Sequence, residues 1–314
     1  MGTYNILCST DNNYVPYCGI MLTSLFENNK KCSFNVYLQG DNISKENTLL
    51  LESIARRHNS NISIINVDSA SLPKLPIREG DHVSVAAYYR LLSPYMLPLN
   101  INKVLYLDCD IIINGDIEQL FNEDISEYAC AAIIDEDNEN PEKHKRLGYG
   151  MEYPYINSGV MLINIEYWRK KKITERCMEF IRNNPDRVIL HDQDTINAVL
   201  NKEIKLLSVK YNLQTAMLYC CSKLSKHTTE DVEQHKYKPI IIHYTGASKP
   251  WHKGSKHPYC NRFLYYKNIS AWRKYPLVKS ERTWKEELLY FRNSIIWALG
   301  LRKRPKTYII NKQD

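Results

Sequence analysis

The chain has 314 residues, 44% hydrophobic and 25% charged, which is the composition of a globular protein able to bury a core, as one large domain or a domain with an appendage. Its net charge of +7 is unevenly placed: residues 261–314 hold 13 Lys/Arg against 4 Asp/Glu, leaving 29 against 31 for residues 1–260. A slightly acidic body with a cationic end argues against a nucleic-acid enzyme with a basic groove, and no run approaches the roughly 20 apolar residues that a membrane span needs.

In chain order, Tyr4–Ser9 reads as a first strand and Pro16–Phe26 as a helix with proline near its opening turn. Phe34–Leu38 is a second strand. Ser44 is placed to cap a helix running to His58, with Leu49, Leu50 and Ile54 inward. Ile62–Val67 is a third strand, and Val83–Leu92 reads as a helix ending before Pro94. Strands at Val104–Leu107 and Ala129–Ile134 follow. Strands alternating with helices imply a mostly parallel sheet covered on both faces. Ligands of such sheets bind beyond the carboxyl ends of the strands, where Asp11, Asp108 and Asp135 all fall.

The nine cysteines show no zinc-like spacing, and Cys8, Cys109 and Cys130 lie in strand-like runs, so they read as buried reduced thiols. Met1–Cys8 has neither the cationic nor the apolar region of a signal peptide. The protein is therefore expected in the cytoplasm.

The segment Asn102-Lys-Val-Leu-Tyr-Leu-Asp-Cys-Asp-Ile-Ile-Ile113 carries the sharpest chemical signal. Alternate residues of an extended chain point the same way, so Asp108 and Asp110 project together while Cys109 faces back into the protein. Two like charges beside a hydrophobic sheet repel and lose hydration, which calls for a positive partner. A hard divalent cation such as Mn²⁺ or Mg²⁺ prefers carboxylate oxygens and shares them with substrate phosphates. Taken alone, an Asp-x-Asp after a strand more often marks a solvated turn or helix cap.

Further polar clusters accompany it. Ser9-Thr-Asp-Asn-Asn-Tyr14 replaces the glycine-rich phosphate loop after the first strand, and suits a base and ribose as well as an ordinary turn. Ile240–Ile242 reads as a strand with His243 at its end, followed by Gly246, which permits close backbone approach, and Lys249, a mobile charge suited to phosphate. Asp192 and Asp194 flank Gln193 near a helix start that either aspartate could cap.

Together the segments Thr10–Tyr14, Tyr89-Arg90-Leu91-Leu92, Leu105–Asp110, Asn157-Ser158-Gly159, Asp192-Gln193-Asp194 and His243–Gly246 through Trp251 resemble glycosyltransferase family 8, in order and spacing, across about residues 3–252. The resemblance implies a GT-A fold: one Rossmann-like, mostly parallel α/β sheet flanked by helices, here spanning residues 1–259, with residues 260–314 as a small helical add-on. It implies retaining transfer of a hexose, galactose favoured over glucose, from a UDP-sugar to a glycan, glycolipid or glycoprotein acceptor. By matching positions, Asp108, Asp110 and His243 hold Mn²⁺, with Mg²⁺ as a substitute. Ser9, Thr10, Asp11, Asn13 and Tyr14 surround the nucleoside. Arg90, Cys109, Asp135, Asn157, Ser158 and Asp192 border the donor, with His82 at its edge. Gly246 and Lys249 meet the pyrophosphate, and Gln193 lies beneath the anomeric carbon, with Asp192 as the alternative catalytic group.

Two other readings stay open at this point: a metal-dependent phosphohydrolase using Asp108 as nucleophile, and a non-catalytic UDP-sugar binding protein. In the tail, Thr283–Glu286 fits a capping box, followed at helical spacing by Trp284, Leu288, Phe291, Ile295 and Leu299 and then by Arg302, Lys303, Arg304 and Lys306. This stripe either docks on the body, grips an extended acceptor, or makes peripheral membrane contact through residues 284–306.

Overall fold

Strand propensity in the first half is decided by β-branched and aliphatic residues at alternating positions, and the fold follows from how those strands pair. The computed structural model describes residues 2–68, 75–76, 85–219, 224–279 and 292. The first elements are β1 (Thr3–Asp11), α1 (Val15–Asn28), β2 (Ser33–Asp41), α2 (Lys45–Arg57) and β3 (Asn61–Asn66). A 3-10 helix at Val85–Leu92 leads into α3 (Ser93–Met96), β4 (Lys103–Leu107), β5 (Ile111–Ile113) and α4 (Glu118–Phe121). The second half comprises β6 (Cys130–Ile134), α5 (Pro141–Leu147), β7 (Ile156–Asn164), α6 (Ile165–Lys170), α7 (Ile173–Asn183) and α8 (His191–Leu200). It ends with β8 (Ile204–Leu207), β9 (Leu213–Gln214), α9 (Lys226–His235), β10 (Ile241–His243) and α10 (Cys260–Ile269).

The main sheet has seven strands in the order β3-β2-β1-β4-β7-β6-β8. All neighbours run parallel except β7, which is antiparallel to both β4 and β6. Side chains alternate between two cores as the pleat requires. Ile6, Cys8, Leu105 and Leu107 enter one apolar cluster, and Leu7, Val104, Tyr106 and Ala132 the other. The expected α/β architecture is present, and Cys8, Cys109 and Cys130 are buried free thiols.

A second sheet of three strands, β5-β10-β9, is added to the single sheet expected from sequence. Its strands span three, three and two residues, too short for a periodic signal. Its register matters for the site. In β10, antiparallel to β5, His243 pairs with Ile111, and the Tyr244 N–H donates to the Asp110 carbonyl at 3.0 Å.

Two local expectations are corrected. Val85–Leu92 is a 3-10 helix that does end before Pro94, and Pro94 also lies in the opening turn of α3. In a 3-10 helix residues i and i+3 eclipse. Ala86 and Tyr89 enter one cluster while Tyr88 and Leu91 enter another, so the helix is apolar on two faces rather than one. On α2, capped by Ser44 as expected, Leu51, Ile54 and Ala55 face inward, whereas Leu49 is 55% exposed. Two residues of helix rotate Leu49 about 200° from Leu51, onto the far face.

The described part of the segment after residue 260 packs on α1. Phe263, Tyr266 and Trp272 join the main core, and Asn28 donates to the Tyr266 hydroxyl at 2.6 Å. A Cβ on Gly19 would lie 1.9 Å from Trp272 Cζ3, so glycine is what admits the indole. The stripe at 284–306 lies outside the described residues apart from Arg292. Gly19→Ala should therefore displace Trp272 and lower stability by about 1–3 kcal/mol, read as a reduced urea midpoint at unchanged m-value.

Candidate active site at the carboxyl ends of the strands

The topology gathers the polar segments at one edge. β1, β4 and β6 run in the same direction, so Asp11, Asp108 and Asp135 stand at their common carboxyl ends. β7 enters from that edge, bringing Asn157, Ser158 and Gly159. A register shift between Ala132 and Ile133 leaves Ser158, Gly159 and Val160 of β7 bulged between the paired Asn157 and Met161, a device that often re-aims side chains beside functional sites.

Asp108, Asp110 and His243 converge, each offering a ligand atom within 4.8 Å of the others, and they form the one such group among the described residues. His243 Nε2 lies 3.1 Å from Asp110 Oδ1 and 3.9 Å from Asp108 Oδ2. Lys249 Nζ donates to Asp110 Oδ2 and to the Tyr244 carbonyl, both at 2.6 Å. Burial opposes ionisation of Asp110, but Lys249 and His243 outweigh it and hold its carboxyl below the ordinary carboxylate range. Burial likewise opposes charge on His243, yet Asp110 and Asp108 prevail and raise its pKa. Behind the group, a Cβ on Gly159 would fall 2.3 Å from His243 Cε1 and 2.7 Å from Asp108 Oδ2, so only glycine leaves room for it.

Arg90 is the second hub. Its Nη2 donates to Asp108 Oδ1 at 2.9 Å, its Nη1 to the Ser158 carbonyl at 2.5 Å, and its guanidinium carbon sits 3.9 Å from the centroid of the Tyr106 ring. The Tyr106 hydroxyl also donates to Asp108 Oδ1, at 2.9 Å. Arg90 Nε lies 3.0 Å from Asp192 Oδ2 but donates to the Ala87 carbonyl, which leaves that buried oxygen with no hydrogen bond. Burial pushes the Asp192 carboxyl up to about 6 against the pull of Arg90, with Asp108 adding to the rise.

Gln193 is held at both ends of its amide. Oε1 accepts from the Ser158 N–H at 3.0 Å, and Nε2 donates to Asp135 Oδ2 at 3.0 Å and to the Tyr155 hydroxyl at 3.2 Å. His191, in the left-handed region at φ 49°, opens α8 and sets this turn. Asp194 braces the turn that precedes α8: it accepts from the Ile189 and Leu190 N–H groups, from Tyr155 and from Arg146, and these donors depress its pKa against burial.

On the β1 side, Asp11 Oδ1 accepts from the Asn13 and Tyr14 N–H groups, shaping a tight turn. Ser9 and Thr10 are buried, with Ser9 Oγ donating to Gln39. Burial, then Asp110, pushes the Tyr14 phenol up to about 12. Cys109 turns its thiol to the Ser9 carbonyl, so its side chain faces the core as the alternation predicted. Gly246 adopts φ 78° with open space where a Cβ would stand, a conformation that favours glycine and leaves its backbone approachable. His82 lies outside the described residues.

Sequence reasoning missed Tyr106, Tyr155 and Asn212, all buried and bonded to site residues. Tyr106 could have been found by the same alternation that aligned Asp108 and Asp110, since it lies two residues before Asp108. Asn212 lies in an irregular stretch with no spacing signal.

Residues 5–255 match the profile of Glycosyl transferase family 8, and the chain belongs to that family. It is a glycosyltransferase of GT-A fold. It is 32% identical over 276 residues to General stress protein A of Bacillus subtilis, covering 85% of this chain and 94% of that protein. Lipopolysaccharide 1,2-glucosyltransferase of Escherichia coli is 31% identical over 282 residues, covering 88% and 82% of the two chains. Among solved structures, galactosyltransferase LgtC in complex with donor and acceptor sugar analogues superposes with a TM-score of 0.77 at 25% identity, covering 86% of this chain and 99% of that one.

Because the Asp192 carboxyl titrates higher in the folded chain than the 3.8 expected of an unfolded one, the native state binds the extra proton between the two values. Stability should fall as pH rises from about 4 to about 6, by on the order of 3 kcal/mol from this group, and stay lower above. Asp192→Asn should flatten that part of the curve in urea titrations across the window; an unchanged slope would contradict the assignment.

Proposed function

We propose that this protein transfers a hexose from a UDP-sugar to a saccharide acceptor with retention of anomeric configuration, using a divalent cation held by Asp108, Asp110 and His243. The observation that carries the reading is the convergence of two carboxylates, one imidazole and Lys249 at the carboxyl ends of the strands. Two carboxylate oxygens and an imidazole nitrogen suit Mn²⁺, with Mg²⁺ a plausible replacement, and leave coordination positions for phosphate oxygens. Such an ion, when bound, neutralises charge on a departing diphosphate.

The chain's own residues supply the rest. Lys249 faces the same leaving group, and the approachable backbone at Gly246 offers an N–H where charge develops. The turn Asp11–Tyr14 holds the nucleoside. Asp192 Oδ2, buried without a hydrogen bond, suits a hydroxyl of the hexose, and the hydrogen-bonded pair Asp135 and Asn157 borders the donor. Gln193, an amide fixed from both ends, is a poor nucleophile. That favours departure and attack on one face of the sugar: the bond from anomeric carbon to phosphate oxygen breaks, the acceptor oxygen bonds to that carbon, and its proton passes to the leaving phosphate. Gln193 stabilises the positive charge on the ring, and Asp192 as covalent nucleophile is the less favoured variant.

The phosphohydrolase reading is disfavoured by Asp108, whose Oδ1 is already engaged by Arg90 and Tyr106. The relatives that act on lipopolysaccharide suggest a glycan or glycolipid acceptor for this chain. No helix among the described residues is long and apolar enough to cross a membrane.

Incubation with UDP-galactose and UDP-glucose in turn, with Mn²⁺, should release UDP from at least one, and Asp110→Asn or a chelator should lower that rate about 100-fold or more. Undiminished turnover would sink the metal reading. Cation binding requires neutral His243, whose pKa is raised. Mn²⁺ affinity by calorimetry should thus fall with decreasing pH, starting above the ordinary histidine value of about 6.5, with protons released on binding.

A further inference from the structure

Behind His243 runs a chain of buried side-chain amides with a fixed direction. His243 Nδ1 lies 2.9 Å from Asn212 Oδ1, Asn212 Nδ2 donates to Asn157 Oδ1 at 2.9 Å, and Asn157 Nδ2 donates to Asp135 Oδ2 at 3.3 Å. The far end cannot be reversed, because a carboxylate only accepts. The middle cannot either: Asn157 Oδ1 also accepts the Gly159 N–H at 3.1 Å, so turning that amide over would set two donors face to face. Asn212, fully buried, must then give its N–H to Asn157 and present its oxygen to the imidazole. In the neutral ring the proton is thereby placed on Nδ1, and the lone pair falls on Nε2, the nitrogen that faces Asp108 and Asp110.

We propose that Asn212 is a positioning residue for the cation site: its side-chain oxygen holds the proton on His243 Nδ1 and aims the Nε2 lone pair at the ion, in a direction set from Asp135 through Asn157. The inference rests on the metal reading above and extends it, because the same Asp135 oxygen accepts from Gln193. One hydrogen-bonded network therefore orients both the imidazole and the amide assigned to the sugar. Partners of this kind typically change metal affinity 10–100-fold when removed, without touching the ion.

The test combines spectroscopy with binding. In the full-length wild-type protein, at a pH alkaline enough that the His243 ring is neutral, ¹⁵N-detected correlation spectra should show its proton on Nδ1; a neutral ring protonated on Nε2 instead would overturn the proposal whatever the variants do. By electron paramagnetic resonance of free Mn²⁺, Asn212→Leu should bind about 10–100-fold more weakly than wild type. Asn212→Asp, which still offers an oxygen to Nδ1, should recover most of that loss, whereas a packing role would leave it as impaired as the leucine variant. Wild type and Asn212→Leu binding Mn²⁺ equally would overturn the proposal alone. Wild type binding no Mn²⁺ would overturn the metal reading and this proposal with it.

Discussion

The arrangement depends on repulsion between Asp108 and Asp110. With ligand atoms within 4.8 Å, two carboxylate charges at an effective dielectric near 20 repel by about 3.5 kcal/mol, and their burial adds a desolvation penalty. The fold answers with a separate cation for each: Arg90 on Asp108 and Lys249 on Asp110, with His243 between. These partners come from the 3-10 helix, the end of β10 and the loop after it. Remote stretches of chain are thus drawn together by one electrostatic demand.

Space is as constrained as charge. Gly159 leaves no room for a side chain beside His243 and Asp108, and it sits in the bulge that follows Asn157 on β7. On the opposite flank Tyr17 stacks on Trp251 with ring centroids 4.0 Å apart, and Trp272 fills the space above Gly19. The loop bearing Gly246 and Lys249 is therefore anchored at its far end by aromatic packing on α1. Hydrophobic burial, the larger favourable term, is what holds the unfavourable polar cluster in place.

Buried polar networks are stable only when their members are satisfied. Here the satisfied part runs through Asn212, Asn157, Asp135 and Gln193, while Asp192 keeps a buried oxygen without a donor and a carboxyl shifted up to about 6. One of the buried polar atoms left without a hydrogen bond thus lies where a hexose hydroxyl is proposed to bind. Stability given up at that position is consistent with a site shaped for a ligand rather than for the empty fold.

Much of this was legible in the residues themselves. Apolar, β-branched runs located β1, β2, β3, β4 and β6 of the main sheet, but not β7 or β8, and put Asp11, Asp108 and Asp135 at carboxyl ends; alternation then made Asp108 and Asp110 face together. The aspartate pair's need for a positive partner followed from charge. Sequence could not give the second sheet, whose strands are too short to show a period, nor the 3-10 helix, whose residues split between two cores only once the sheet is built. It was also silent on Asn212, since a hydrogen bond between residues 31 positions apart leaves no trace in local spacing. Local chemistry thus determined which groups carry charge and which edge they occupy; long-range pairing alone decided which nitrogen of His243 meets them.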